Sequence, residues 1–204
     1  MDGSDQEDLR KLHQEVNQIV QQRFTLTTVA VGVFGVMIAW AFPKTLPAAG
    51  TPVPSFTYVA CISLLLVLLV LFALHLSLKL FLRVLTAYLL ESNLSRWEGH
   101  WATWRNEGKS YMGYSKPQTA VFVFLGLLTW SYPHLIGCAY QMQQDAHWMT
   151  VTNYVGGAYF LGTILFGMIY GMKGSEAVYR QYWSKILRES KEKSLPASSE
   201  TSKS

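Results

Sequence analysis

Charge is the first thing this sequence lacks. Asp, Glu, Lys and Arg make up 15% of the 204 residues, against about 25% in an ordinary soluble domain. They are absent altogether from Phe24 to Pro43, Thr45 to Leu78, Pro117 to Gln144 and Ala146 to Met172. An apolar run of about 18 residues or more is longer than a soluble core helix needs and matches the roughly 30 Å of a bilayer's hydrocarbon. A soluble globular domain is excluded. So is a large catalytic domain, because four spans take about 80 residues and no remaining segment is long enough to fold round a core of its own.

Cysteine is nearly missing as well. Cys61 and Cys138 stand far apart inside apolar runs and no CxxC occurs, so neither a thiol oxidoreductase pair nor a zinc knuckle can be read. Two buried free thiols are expected ahead of a disulfide. The opening MDGSDQEDLRKLHQEV is polar and acidic, without the short apolar core and small-residue site of a cleaved signal peptide, and none is expected.

What is present is an all-α pattern: a four-transmembrane-helix bundle with amphipathic cytoplasmic extensions. Trimming each uncharged run at its Pro, Gly and polar ends places spans at 24–42, 56–78, 118–140 and 153–172, joined by outer loops at 43–55 and 141–152. Pro43, Pro47, Pro52 and Pro54 keep the first loop from being helix. Of the 17 Lys and Arg, three precede the first span, one lies in the first loop, six in 79–117, none in the third loop and seven from residue 173 on. Loops rich in Lys and Arg stay cytoplasmic, so both termini and the central loop are expected inside, in a plasma membrane of the bacterial inner-membrane type. Trp40, Phe42, Tyr58, Tyr140, Trp148 and Tyr154 mark the outer ends, and Phe24, Tyr170 and Tyr179 the inner ones.

The cytoplasmic segments read as helix. In 1–23, Leu9, Leu12, Val16, Ile19 and Val20 share one face. The second span is expected to run on past Leu78. Within 79–117, Ser95 and Glu98 have capping-box spacing, and Trp97, Trp101 and Trp104 follow on one face with His100. In 173–188, Tyr179, Tyr182, Trp183 and Ile186 oppose Arg180, Lys185 and Arg188, and 189–204 reads as a disordered tail. Trp97, Trp101, Trp104 and Trp183 are the candidate docking surface for a cytoplasmic protein partner or a neighbouring protomer, unless these faces lie in lipid headgroups or pack on each other.

No Asp, Glu, Lys or Arg falls within any span. Proton-coupled exporters and aspartyl intramembrane hydrolases need such a group, and the intramembrane Glu of the small multidrug exporters is missing. His75 and His134 are the ionisable residues that remain. Their depths differ by roughly 20 Å at the helical rise, so they cannot be the two axial ligands of one haem. Each is expected to be a hydrogen-bonded packing residue, with pH sensing as the sharper alternative. Pro133 removes a helical hydrogen bond and crowds the Thr129 carbonyl, which makes Pro133 and His134 a candidate kink or gate. Gly167 and Gly171 form a GxxxG, Ala158 and Gly162 a second small pair, and Gly32 and Gly35 a third. Each permits close helix approach, within the chain or between copies.

No cofactor, no metal site and no nucleic-acid partner is expected. Three functions are open to such a chain. The first is a non-enzymatic homo-oligomer acting as a pore or membrane effector. The second is a scaffold or accessory subunit holding a partner through the Trp-rich helix. The third, an enzyme acting on a lipid or quinone with His75 or His100 as base, has no carboxylate constellation behind it.

Overall fold

The computed structural model describes residues 3–42, 47–92, 115–172 and 176–194, with side chains described for 6–42, 47–92, 117–170 and 178–189. Among these the chain is helical: α1 (Gly3–Ala41), α2 (Ser55–Glu91), α3 (Ser115–Ala139), α4 (Ala146–Met172) and α5 (Glu176–Ser194). Three helical segments, Gln6–Ala41, Ser55–Glu91 and Pro117–Ala139, are long and apolar enough to cross a membrane. These are the features of a helical membrane protein. α4 carries no Asp, Glu, Lys or Arg in its 27 residues and is not among the three found in the described residues.

The chain divides into two compact units. One takes residues 21–79 and 112–170. Its core is Ala30 from α1, Leu64, Leu65, Leu68, Phe72 and Leu76 from α2, Phe122 and Leu125 from α3, and Tyr159 from α4. The side chains from α2 recur at three- and four-residue spacing, which is what puts them on one helical face. Burying apolar side chains of this size contributes about 1.5–3 kcal/mol each in water. Within a bilayer that drive is absent between helices, and close fit takes its place.

Close fit is visible between α3 and α4. A Cβ on Gly126 would collide with the Tyr159 ring, and one on Gly156 with the Trp130 ring. Glycine at these two positions lets an aromatic ring from the facing helix lie on bare backbone. Tyr159 Oη then donates to the Phe122 carbonyl at 2.8 Å, so its polar end is satisfied although the residue is buried.

A smaller cluster of Val53, Tyr58, Ile136 and Met142 lies under the connections 47–54 and 140–145. These are clasped through backbone: Gly50 N donates to Gln141 O, Gln143 N to Thr51 O, and Val53 N to Gln143 O, each at 2.9 Å. Gly50 has φ +83°, the left-handed region that glycine enters without a Cβ penalty. α3 ends in a Schellman motif: Met142 N donates to Gly137 O and Gln141 N to Cys138 O, with Gln141 at φ 50°. α4 opens at once afterwards. Asp145 Oδ1 accepts from His147 N at 2.9 Å and Trp148 N at 3.2 Å, an N-cap that starts the helix at Ala146, ahead of the span start expected at 153.

The other unit takes residues 1–20, 80–111 and 171–204. Leu9, Leu12, Val16, Ile19 and Val20 are half-buried there, and Asp8, Arg10, Lys11, Glu15 and Gln18 are exposed. α5 lies on the last turns of α2. Trp183 Nε1 donates to the Val84 carbonyl at 3.2 Å, its ring meets Tyr88 edge-on at 4.8 Å, and Arg180 Nε pairs with Glu91 at 2.6 Å. α5 continues to Ser194, past residue 189 where the tail was expected to lose structure.

Candidate functional site

α1, α2 and α3 each place one polar side chain at the same point of the first unit. Arg23 Nη2 donates to Gln118 Oε1 at 2.8 Å and lies 3.3 Å from His75 Nε2. All three residues are buried, with relative exposures of 6% for Arg23, 0% for His75 and 7% for Gln118. The His75 ring rests against Phe122 at 5.5 Å between centroids. A buried guanidinium costs free energy unless hydrogen bonds replace its water, and here a neutral amide and a neutral imidazole serve as acceptors. Arginine has donors only, so the contact requires His75 to accept at Nε2 and to hold its proton on Nδ1. That Nδ1 is buried without a hydrogen-bond partner among the described residues.

Along α2, His75 lies about 25 Å beyond Tyr58 at the helical rise of roughly 1.5 Å per residue. Leu64, Leu65, Leu68 and Phe72 fill the helix face between them. Tyr58 is fully buried and stacks on Trp148 at 6.4 Å. The interior thus has a polar node at one end, an aromatic cluster at the other and an apolar plug between.

Comparison with protein-family models, curated proteins and solved structures returns no match.

His75 and His134 are not brought together. His134 Nε2 lies 3.4 Å from Asn153 Oδ1, which also accepts from Trp130 Nε1 at 3.1 Å. Pro133 is buried and α3 runs through it as one helix. The nearby hydroxyls turn back along the helix, Thr129 to the Leu125 carbonyl at 2.8 Å and Ser131 to that of Leu128 at 3.2 Å.

The small residues divide sharply. Gly162 is packed within the chain, with Leu69 Cδ1 3.3 Å from where its Cβ would be. Gly32, Gly35, Gly157 and Gly167 have nothing within 4 Å of that point, and Ala158 is exposed. The side-chain surroundings of Gly171 lie outside the described residues, as do Trp97, Trp101 and Trp104. Trp183 is half-buried, with its indole N–H on the Val84 carbonyl of its own chain. Cys61 is buried and Cys138 exposed, both free, which corrects the expectation of two buried thiols. Among the described residues no group of three or more His, Cys, Asp or Glu side chains could hold a metal ion.

Reading the sequence as spans and flanks missed Arg23 and Gln118. The signal for Arg23 was its spacing: Arg23, Ala30 and Met37 recur every seven residues, so they share a face of α1, and Ala30 is fully buried.

Proposed function

We propose that this chain is a four-span plasma-membrane protein of the bacterial inner-membrane type, both termini cytoplasmic. It acts without catalysis as a homo-oligomer that forms a pore or otherwise perturbs the membrane. The observation that carries the reading is the division among the glycines. Gly126, Gly156 and Gly162 are filled by rings or methyls of the same chain, while Gly32 and Gly35 on α1 and Gly157 and Gly167 on α4 face open space. Small residues favour helix contacts in lipid because they admit a neighbouring backbone, and these four have no such neighbour among the described residues.

Two further observations support it. In the most apolar windows of α1, α2 and α3 the buried shares are 11%, 44% and 39%, so of these three α1 has most surface left for a second copy. The plug of Leu64, Leu65, Leu68, Phe72, Phe122 and Leu125 fills the protomer's own interior, so a conducting path, if formed, runs between copies. Such a path is mostly apolar and gates by dewetting. α4 supplies the fourth crossing: it is uncharged, long enough at about 1.5 Å per residue, and followed by seven Lys and Arg.

The test is membrane potential, read by a dye in cells expressing the wild type or the Gly32→Leu, Gly167→Leu variant to equal level. Depolarisation by the wild type alone supports the reading. An unchanged potential with both removes the pore.

A further inference from the structure

Arg23 is the last charged residue before the uncharged run of α1, and an arginine at the edge of hydrocarbon ordinarily extends its head toward the phosphate layer. Here it is turned inward instead. Its Nη2 holds Gln118 Oε1 on α3 at 2.8 Å and meets His75 Nε2 on α2 at 3.3 Å. Gln21 and Gln22 beside it on α1 are exposed, so the side chain leaves a wet surface to reach these partners.

The closed arrangement carries standing costs. His75 and Gln118 are neutral acceptors, where a phosphate offers a charged, bidentate one. The closed form also holds His75 with a proton on Nδ1 that meets no acceptor among the described residues. Lys79, one turn further along α2, is near enough to act electrostatically on the His75 ring and adds positive charge there. From α3 the ring meets Phe122. Costs of this kind lower the stability of the closed form, and a ligand that favours another form shifts the population toward it.

We propose that Arg23, His75 and Gln118 form a latch, closed as seen here with α1 drawn onto α2 and α3, which opens when the Arg23 guanidinium exchanges His75 and Gln118 for the phosphate of an anionic lipid. Of α1, α2 and α3, which meet at this point, α1 has the smallest buried share in its most apolar window, so it is the one of the three most free to move when that end is released. The inference takes from the proposed topology only that residue 23 lies at headgroup level. It does not need the oligomer.

The experiment is a spin-label distance measurement on the full chain, carrying Cys61→Ala and Cys138→Ala with labels at Gln22→Cys and Leu74→Cys, both exposed positions. The labelled chain is diluted with unlabelled protein, so each distance comes from one chain and is blind to oligomerisation. Nanodiscs of phosphatidylcholine are compared with nanodiscs containing phosphatidylglycerol. The expected result is one narrow distribution in the neutral lipid and a second, longer population in the anionic lipid. Arg23→Gln removes that lipid dependence. His75→Gln keeps an acceptor and stays closed in neutral lipid, whereas His75→Leu fills the space without one and opens. Identical wild-type distributions in both lipids overturn the latch, as does equal behaviour of the Gln and Leu variants at 75. Nitrogen-15 spectra of His75 in neutral lipid supply a readout without mutation: a proton on Nδ1 is expected, and a proton on Nε2 overturns the proposal.

Discussion

Arg23 on α1 and His75 on α2 stand 52 positions apart in the chain, yet the guanidinium Nη2 lies 3.3 Å from the imidazole Nε2, and neither side chain is more than 6% exposed. A cation and a titratable ring in direct contact inside a helical membrane protein are compatible only while the ring accepts. The contact therefore sets the protonation site of His75 and ties two helices together at once.

Arg23→Met and His75→Leu are each expected to destabilise the fold, and to do so non-additively. Removing one partner strands the other, at about 1–3 kcal/mol for a buried polar group. Together they should show a coupling on the order of 1–2 kcal/mol, as contacting residues do. Thermal unfolding of the four chains in detergent measures it, and additive losses would mean that the contact contributes nothing.

The glycines sort into two classes by substitution. Gly126→Ala and Gly156→Ala push a methyl into the rings of Tyr159 and Trp130, and overpacking of this kind costs about 1–3 kcal/mol. Gly32→Ala and Gly157→Ala meet nothing within 4 Å and gain up to about 1 kcal/mol of helix propensity. Unfolding midpoints of the four variants should fall below wild type for the first pair and match or exceed it for the second.

How far such contrasts can be read from sequence is clear at Gly156 and Gly157. Adjacent residues on a helix point about 100° apart, and that rotation separates a glycine beneath the Trp130 ring from one facing open space. A small-residue motif records that close approach is possible, not which neighbour makes it. The uncharged runs were legible because bilayer thickness acts on every residue of a span alike. The contact of Arg23 with Gln118 joins positions 95 apart, and only the packing of α1 against α3 reveals it. The start of α4 at Ala146 was within reach of local rules, since Asp145 is a good N-cap, but a polar turn was assumed up to residue 152. Amphipathic spacing put Trp183 on an apolar face without saying what that face meets; its indole N–H reaches the Val84 carbonyl of the same chain.

Trp183→Phe keeps the ring against Tyr88 and removes the indole N–H that reaches Val84 O. The loss of one partly buried hydrogen bond is worth about 1 kcal/mol, so amide exchange across α5 should quicken several-fold while that of α2 residues 60–76 stays unchanged. Arg180→Ala should do less, because its ion pair with Glu91 is partly exposed and such pairs contribute roughly 0–1 kcal/mol.

The fourth crossing is open to a direct check. With α4 spanning the membrane, reporters fused after residue 50 and after residue 145 both lie outside, and one fused after residue 194 lies inside. A chain with three crossings places the last of these outside.

The claim on which the functional reading rests is that the uncovered faces of α1 and α4 meet other copies. A photo-crosslinking residue in place of Val36 on α1 or Met168 on α4, exposed at 70% and 49%, tests it in native membranes against the same residue at Leu66 on α2, exposed at 55%. The account predicts adducts between copies from Val36 or Met168, abolished by Gly32→Leu with Gly167→Leu, and none from Leu66. Monomer at all three positions, or equal adducts from Leu66, would contradict it.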